Sequence, residues 1–120
     1  MKRIISFFLL LPGIMFPQWT SQSVPAGIQI LSGLSFVDLR GVAGGYNNDG
    51  LVTGKIIYTS NGGTNWLVST VPANTGMVNT VQLINEQIGY ASGTIAGIGG
   101  MFLKTTDGGV NWSNYGTLPP

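Results

Sequence analysis

The sequence predicts an all-β fold, built as two four-stranded antiparallel units that follow an N-terminal export signal. Short apolar and β-branched segments alternate with Gly, Asn, Asp and Pro, and no segment keeps a helical period. Three tryptophans, Trp19, Trp66 and Trp112, lie about 46 residues apart, which indicates an internal repeat. With 43% hydrophobic residues, 8% charged residues and 19 glycines, the composition is that of a folded, turn-rich protein.

Residues 1–17 have the layout of a secretory signal peptide. Lys2 and Arg3 precede residues 4–16, which carry no charge and are mostly apolar. This run is shorter than the about 20 residues that a transmembrane helix needs, and Pro12 interrupts it. We therefore expect a signal peptide over 1–17, a secreted or periplasmic mature chain and no membrane contact after cleavage. A buried N-terminal strand or helix is the alternative.

The repeat divides the rest of the chain into a first unit, 18–72, and a second unit, 73–120. Residues 54–66 align with residues 100–112 without a gap, and both segments end in Asn-Trp. In the first unit we expect strands over 29–37, 41–46, 55–59 and 65–71. In the second unit we expect strands over 77–84, 88–92, 101–105 and 111–115.

Each unit has the size of one β-propeller blade, which is a four-stranded sheet of about 40–50 residues. A propeller typically has about four to eight blades, so two units do not close a ring. Residues 118–120 repeat the Val-Pro pattern of residues 24–25 and 71–72, where a new unit begins. We therefore expect either further blades in the same chain after a truncated third unit, or a ring closed by self-association.

A turn motif recurs between the third and fourth strand of each unit, at 59–66 and 105–112. Asn or Asp before Gly-Gly is a strong hairpin signal, because tight turns need the positive φ that Gly tolerates. The Asn or Asp side chain can accept backbone N–H bonds in the turn, and the Trp can pack beneath it. We expect a structural role for Thr59, Asn61, Gly63, Trp66, Thr105, Asp107, Gly109 and Trp112.

The two turns resemble the Asp-box, or BNR repeat, of sialidases, sortilin-type receptors and many exported bacterial propellers. The longer pattern, which adds a Gly-rich strand before each turn, is similar to that of the photosystem II stability and assembly factor-like propellers. The resemblance covers about residues 18–120, and it implies a β-propeller that acts as an interaction or assembly scaffold. Asn61 in place of Asp and the longer loop at 46–50 depart from the family pattern.

The composition excludes several kinds of chemistry. The chain has no His and no Cys, which removes imidazole bases, thiol nucleophiles and the usual zinc sites, and its net charge of +1 does not favour nucleic-acid binding. A sialidase needs an arginine cluster, but Arg40 is the only arginine after the leader. Asp38, Asp49 and Glu86 are expected in separate loops, so no paired carboxylates are predicted.

We therefore expect no catalytic, cofactor-binding or metal-binding residues. The loop at 47–50 offers oxygen ligands for calcium but lacks the spacing of a dedicated site, and a long hairpin turn explains it better. The Gly-x-Gly at 97–99 has no strand-turn-helix context for a nucleotide.

Three functions remain open. The favoured one is a non-catalytic exported β-propeller repeat module that binds a protein or glycan partner. The alternatives are an N-terminal fragment of a sialidase-like Asp-box glycosidase and a structural repeat of a large secreted adhesin.

Overall fold

The computed structural model describes residues 18–95 and 99–116, and this part of the chain is all-β. The first sheet is antiparallel with the order β1-β2-β3-β4, and its strands are Ile30–Val37, Arg40–Asn47, Thr53–Thr59 and Leu67–Val68. The second sheet is antiparallel with the order β5-β6-β7-β8, and its strands are Thr75–Leu83, Gly89–Ile95, Gly99–Thr105 and Ser113–Asn114. The predicted signal peptide lies outside the described residues.

The two sheets share their internal register as well as their strand order. Leu34 is opposite Ala43 in the first sheet, and Val81 is opposite Ala91 in the second. Both innermost strands also contain an irregularity at the same place, at Ser32 in β1 and at Asn79 in β5. A bulge adds one residue to one strand and increases its local twist, so the repeat extends to a feature that the sequence pattern does not announce.

The sheets pack face to face, with β5 lying across β1, β2 and β3. The shared core consists of Val42 and Ile56 from the first sheet together with Val78, Val81, Leu83, Ala91, Met101, Leu103 and Trp112. A Cβ built on Gly44 would lie 2.6 Å from Val78 Cγ1 and 2.8 Å from Val81 Cγ1. Glycine in β2 therefore lets the incoming strand approach closely.

Hydrogen bonds between the sheets reinforce the packing. The Ser32 hydroxyl at the bulge donates to the Val78 carbonyl, and the Leu83 N–H donates to Ser35 Oγ at 2.9 Å. Because these polar groups lie beside the core, their pairing avoids the cost of leaving buried donors and acceptors unsatisfied. The two sheets thus form one packed body rather than two independent hairpin stacks.

The fourth strands are much shorter than the sequence predicts. The strand expected over 65–71 is reduced to Leu67–Val68, because Thr70 leaves its own sheet and pairs in parallel with Asn111 of the second. The Thr70 N–H donates to the Val110 carbonyl and the Trp112 N–H donates to the Thr70 carbonyl, each at 2.9 Å. The last part of the first unit therefore joins the sheets instead of extending an edge.

Candidate functional site

The second box turn, residues 105–112, is held by a closed set of hydrogen bonds. The Thr105 hydroxyl donates to Asp107 Oδ1 at 2.9 Å and accepts the Gly109 N–H at 3.0 Å. Asp107 Oδ1 also accepts the Asn111 N–H at 2.9 Å, while Oδ2 accepts the Asn111 amide at 2.8 Å. Trp112 is 5% exposed, and its indole N–H donates to the Gly109 carbonyl at 3.0 Å. The side chains of Thr105, Asp107, Asn111 and Trp112 are therefore hydrogen-bonded within the turn.

These bonds also set the protonation of Asp107. Burial acts to raise its pKa, but the hydrogen bonds from the Asn111 N–H, the Asn111 amide and the Thr105 hydroxyl outweigh burial and hold the pKa below its usual value. A carboxyl group with a lowered pKa stays ionised and accepts hydrogen bonds, which is the opposite of what a general acid requires. The local electrostatics suit a turn acceptor.

The first box turn, residues 59–66, repeats this arrangement with an amide in place of the carboxylate. Thr59 Oγ1 donates to Asn61 Oδ1 at 2.9 Å and accepts the Gly63 N–H at 3.0 Å, and Asn61 Oδ1 accepts the Asn65 N–H at 3.0 Å. Two contacts differ. Asn61 has no second side-chain oxygen to accept the bond that Asp107 Oδ2 accepts from the Asn111 amide. The indole N–H of Trp66 donates to Gln22 Oε1 at 3.2 Å instead of to a turn carbonyl.

Trp66 is only partly buried, whereas Trp112 is buried. The first sheet covers Trp112, whereas no sheet among the described residues covers Trp66, which contacts Phe36 and Gln22. Trp19, at the same repeat position, is 103% exposed. The exposure of each tryptophan follows from whether a sheet lies in front of it.

The second box turn also forms part of the joint between the sheets. The Ser69 hydroxyl donates to the Gly109 carbonyl. A Cβ built on Gly109, which has φ +96°, would lie 2.4 Å from Val42 Cγ1 and 3.3 Å from Tyr58 Cβ. Glycine is required here twice, for its backbone conformation and for the close approach to the first sheet.

Arg40, the first residue of β2, lies against the second box turn. A Cβ built on Gly108 would lie 2.8 Å from Arg40 Nε and 2.7 Å from the Glu86 carbonyl oxygen. Long-range packing of this kind leaves no signal in the local sequence around Arg40. The guanidinium is therefore placed beside a box turn rather than in an arginine cluster.

The acidic residues are distributed over the loops at both ends of the strands. Asp38, with φ +52°, occupies the β1–β2 turn, and Glu86 occupies the β5–β6 turn at the same end as the boxes. Asp49 lies in the β2–β3 loop at the opposite end, where its Oδ1 accepts the Gln29 amide at 2.5 Å. Within 18–95 and 99–116, no three His, Cys, Asp or Glu side chains gather as a metal site would require.

The loop considered for calcium is tied to the neighbouring strand. Gln29 donates to Asp49 and accepts the Asn48 N–H at 3.0 Å, so these two loop groups are bound to the residue that precedes β1, whereas Asn47 Oδ1 has no hydrogen-bond partner in the part of the chain that the structure describes. Beside this loop is a cleft of about 320 Å³ between the start of β3 and the segment that leads to β5. Its lining includes Leu51, Val52, Lys55, Pro72 and Asn74.

The Gly-x-Gly pattern at 97–99 lies partly outside the described residues. Gly97 of the Gly-x-Gly pattern is outside them, whereas Gly99 begins β7. Among the residues that the structure covers, no helix is long and apolar enough to span a membrane. Comparison of the chain with models of known protein families, with curated proteins and with solved structures finds no match.

Proposed function

We propose that the chain is a non-catalytic exported β-propeller repeat module that acts as an interaction or assembly scaffold for a protein or glycan partner. Export is supported by the signal-like layout of residues 1–17, and an exported chain would be secreted or periplasmic. The propeller assignment is supported by two four-stranded antiparallel sheets that repeat strand order, bulge and turn, and that pack face to face.

The second box turn is the observation that carries the scaffold assignment. Its carboxylate, hydroxyl and indole groups bond to the turn itself, and its glycine packs on the first sheet. Groups committed in this way stabilise a fold and are not free to act on a substrate. The proposed partner surface lies at the end of the strands opposite to the box turns. It contains the β2–β3 loop and the cleft beside it.

The principal alternative is a fragment of an Asp-box glycosidase. That chemistry requires two carboxyl groups about 5–10 Å apart across the scissile bond. Asp49 lies at the end of the strands opposite to Asp38 and Glu86. Asp107 accepts hydrogen bonds within its own turn. The third possibility, a structural repeat of a large adhesin, uses the same fold without a specific ligand.

A fluorogenic sialoside and a panel of other fluorogenic glycosides test the enzymatic alternative. We expect no hydrolysis above background by the purified chain, because Asp107 is held ionised as a hydrogen-bond acceptor of the turn, whereas a general acid must be protonated. Arg40→Ala is the matched control, since Arg40 is the one arginine after the leader. Turnover that disappears in Arg40→Ala would place the glycosidase first.

Immobilised oligosaccharides separate a glycan scaffold from a protein scaffold. Leu51→Asp changes an exposed side chain at the cleft. Leu39→Asp changes another exposed leucine, at the opposite end of the strands. Retention that falls in Leu51→Asp and persists in Leu39→Asp would support glycan binding at the cleft. Equal loss in both variants, or equal retention, would remove the cleft from the proposal.

A further inference from the structure

The first sheet has an outer face whose residues repeat those of the buried face of the second sheet. We define this first outer face by Leu34, Phe36 and Trp66. Leu34 is 64% exposed while its counterpart Val81 is 6% exposed, and Phe36 is 42% exposed while its counterpart Leu83 is 5% exposed. The first sheet itself covers Val81 and Leu83. The same kind of covering surface would bury the first outer face.

The second sheet also has an outer face. Its residues lie at the repeat positions that the first sheet uses to cover the second sheet. We define this second outer face by Tyr90, Phe102, Lys104 and Tyr115. Tyr90 stands where the first sheet has Val42, and Phe102 stands where it has Ile56. Val42 and Ile56 are the two fully buried residues that the first sheet contributes to the joint.

The second outer face is an organised aromatic cluster. Ring centroids are 5.5 Å apart for Tyr90 and Tyr115, 6.0 Å apart for Tyr90 and Phe102, and 6.2 Å apart for Phe102 and Tyr115. The ammonium group of Lys104 lies 5.0 Å from the Tyr115 ring centroid and 5.8 Å from the Tyr90 ring centroid, so its charge lies over the rings as a cation–π contact. Tyrosine and phenylalanine are enriched at protein interfaces.

We propose that the second outer face of one copy binds the first outer face of another copy, head to tail, in the same way that the two sheets of one chain bind each other. The internal joint supplies the template, because each outer face keeps apolar residues at the positions that the joint buries. Such a heterologous contact repeats around a ring or along a filament. A closed ring of about two to four copies rests on the proposed propeller function, whereas the pairwise contact does not.

Two residues make the contact between copies weaker than the internal joint. Ser92 is the repeat counterpart of Gly44, which leaves room for Val78 and Val81 in the internal joint. The larger Ser92 side chain therefore keeps the other copy at a greater distance. Gln22 accepts the indole N–H of Trp66 and occupies, beside the first box turn, the place that Ser69 occupies beside the second box turn. Tyr115 is the repeat counterpart of Ser69. In the contact between copies Tyr115 needs the place that Gln22 holds, and Gln22 must therefore move aside.

Charge placed on one outer face at a time tests the proposal. Leu34→Glu blocks the first outer face and Tyr115→Glu blocks the second, and both residues are exposed in the monomer. By size-exclusion chromatography with light scattering, we expect the parent chain to be larger than a monomer and each variant to be monomeric. An equimolar mixture of the two variants retains one intact pair of faces, so it should form a heterodimer and nothing larger.

Leu39→Glu is the matched control, because it adds the same charge at a leucine that is 63% exposed and outside both faces, and it should associate like the parent. A monomeric parent, or a mixture that stays monomeric, would overturn the proposal. Monomeric Leu34→Glu beside fully associated Tyr115→Glu would indicate pairing of two first outer faces instead. Association that persists in both variants would also overturn it.

Gln22→Ala supplies a second measurement that does not depend on introducing charge. Removal of the side chain frees the position over the first box turn, so the dissociation constant between copies should fall several-fold. An unchanged or higher dissociation constant would contradict the placement of the second copy. These outcomes are independent of the glycoside and oligosaccharide measurements, so the contact and the proposed function can fail separately.

Discussion

At the scale of single residues, three tryptophans share a repeat position and differ in their surroundings. Trp112 is buried between the sheets, Trp66 is partly covered and Trp19 is fully exposed. We expect Trp112→Ala to lower the free energy of unfolding by about 3–5 kcal/mol, as large aromatic truncations in cores do. Trp66→Ala should cost clearly less, and Trp19→Ala should leave the urea midpoint unchanged. Equal losses for Trp66→Ala and Trp112→Ala would contradict the exposed first outer face.

The lowered pKa of Asp107 predicts a dependence of stability on pH. A group whose pKa is lower in the native state stabilises the fold above its unfolded pKa of about 3.9, and this contribution is lost as the pH falls through the native value. Asp107→Asn removes the titrating group and keeps an amide acceptor, as Asn61 does in the first box turn. Urea midpoints measured from pH 7 to pH 2 should therefore fall less steeply for Asp107→Asn. Parallel curves for the two proteins would argue against the hydrogen-bonded carboxylate.

At the scale of elements, the box turns offer a matched pair of glycines. Gly63 and Gly109 have φ of +94° and +96°, so alanine at either position carries backbone strain of about 1–2 kcal/mol. Only at Gly109 would the added Cβ also collide with a side chain of the first sheet, Val42. At Gly63 the nearest atom belongs to the flexible Gln22 side chain. Gly109→Ala should therefore lower the urea midpoint more than Gly63→Ala, by an overpacking cost of about 1–3 kcal/mol.

Equal midpoints for the two alanine variants would mean that the second box turn can shift away from the first sheet without cost. A greater loss in Gly63→Ala would mean that Gln22 holds its turn more rigidly than Val42 holds the other.

The strand content was predictable because its signals are local. Alternation of apolar residues, Asn-Gly or Asp-Gly turns and a fixed spacing of tryptophans are all written within a few residues of each other. The shortened β4 was not predictable, because Thr70 forms a parallel β-bridge with Asn111, 41 positions away, instead of extending β4 in its own sheet. The same holds for the position of Arg40 beside Gly108 and for the partial exposure of Trp66. These features depend on how the sheets pack, which local patterns do not encode.

At the scale of the whole molecule, the shared core predicts that the two sheets unfold together. Gly44→Ala would place a Cβ against Val78 and Val81 and should lower the stability of both sheets by about 1–3 kcal/mol through overpacking. Ser92 is the register equivalent in the second sheet, on its second outer face, so Ser92→Ala should change stability by less than about 0.5 kcal/mol.

Urea unfolding followed by near-UV and far-UV circular dichroism checks this prediction. A single coincident transition is expected for the parent and for both variants, with only its midpoint shifted in Gly44→Ala. Two separate transitions in the parent, or equal shifts for Gly44→Ala and Ser92→Ala, would show that the sheets are energetically independent.

The graded burial of the tryptophans makes the chain its own optical reporter. Indole emits at shorter wavelength in apolar surroundings and is quenched less readily by solutes there. Trp112 therefore reports whether the sheets are joined, Trp66 reports whether anything covers the first outer face, and Trp19 gives the solvent reference. Binding of any partner to the first outer face will reach the emission spectrum through Trp66 without an added dye or label.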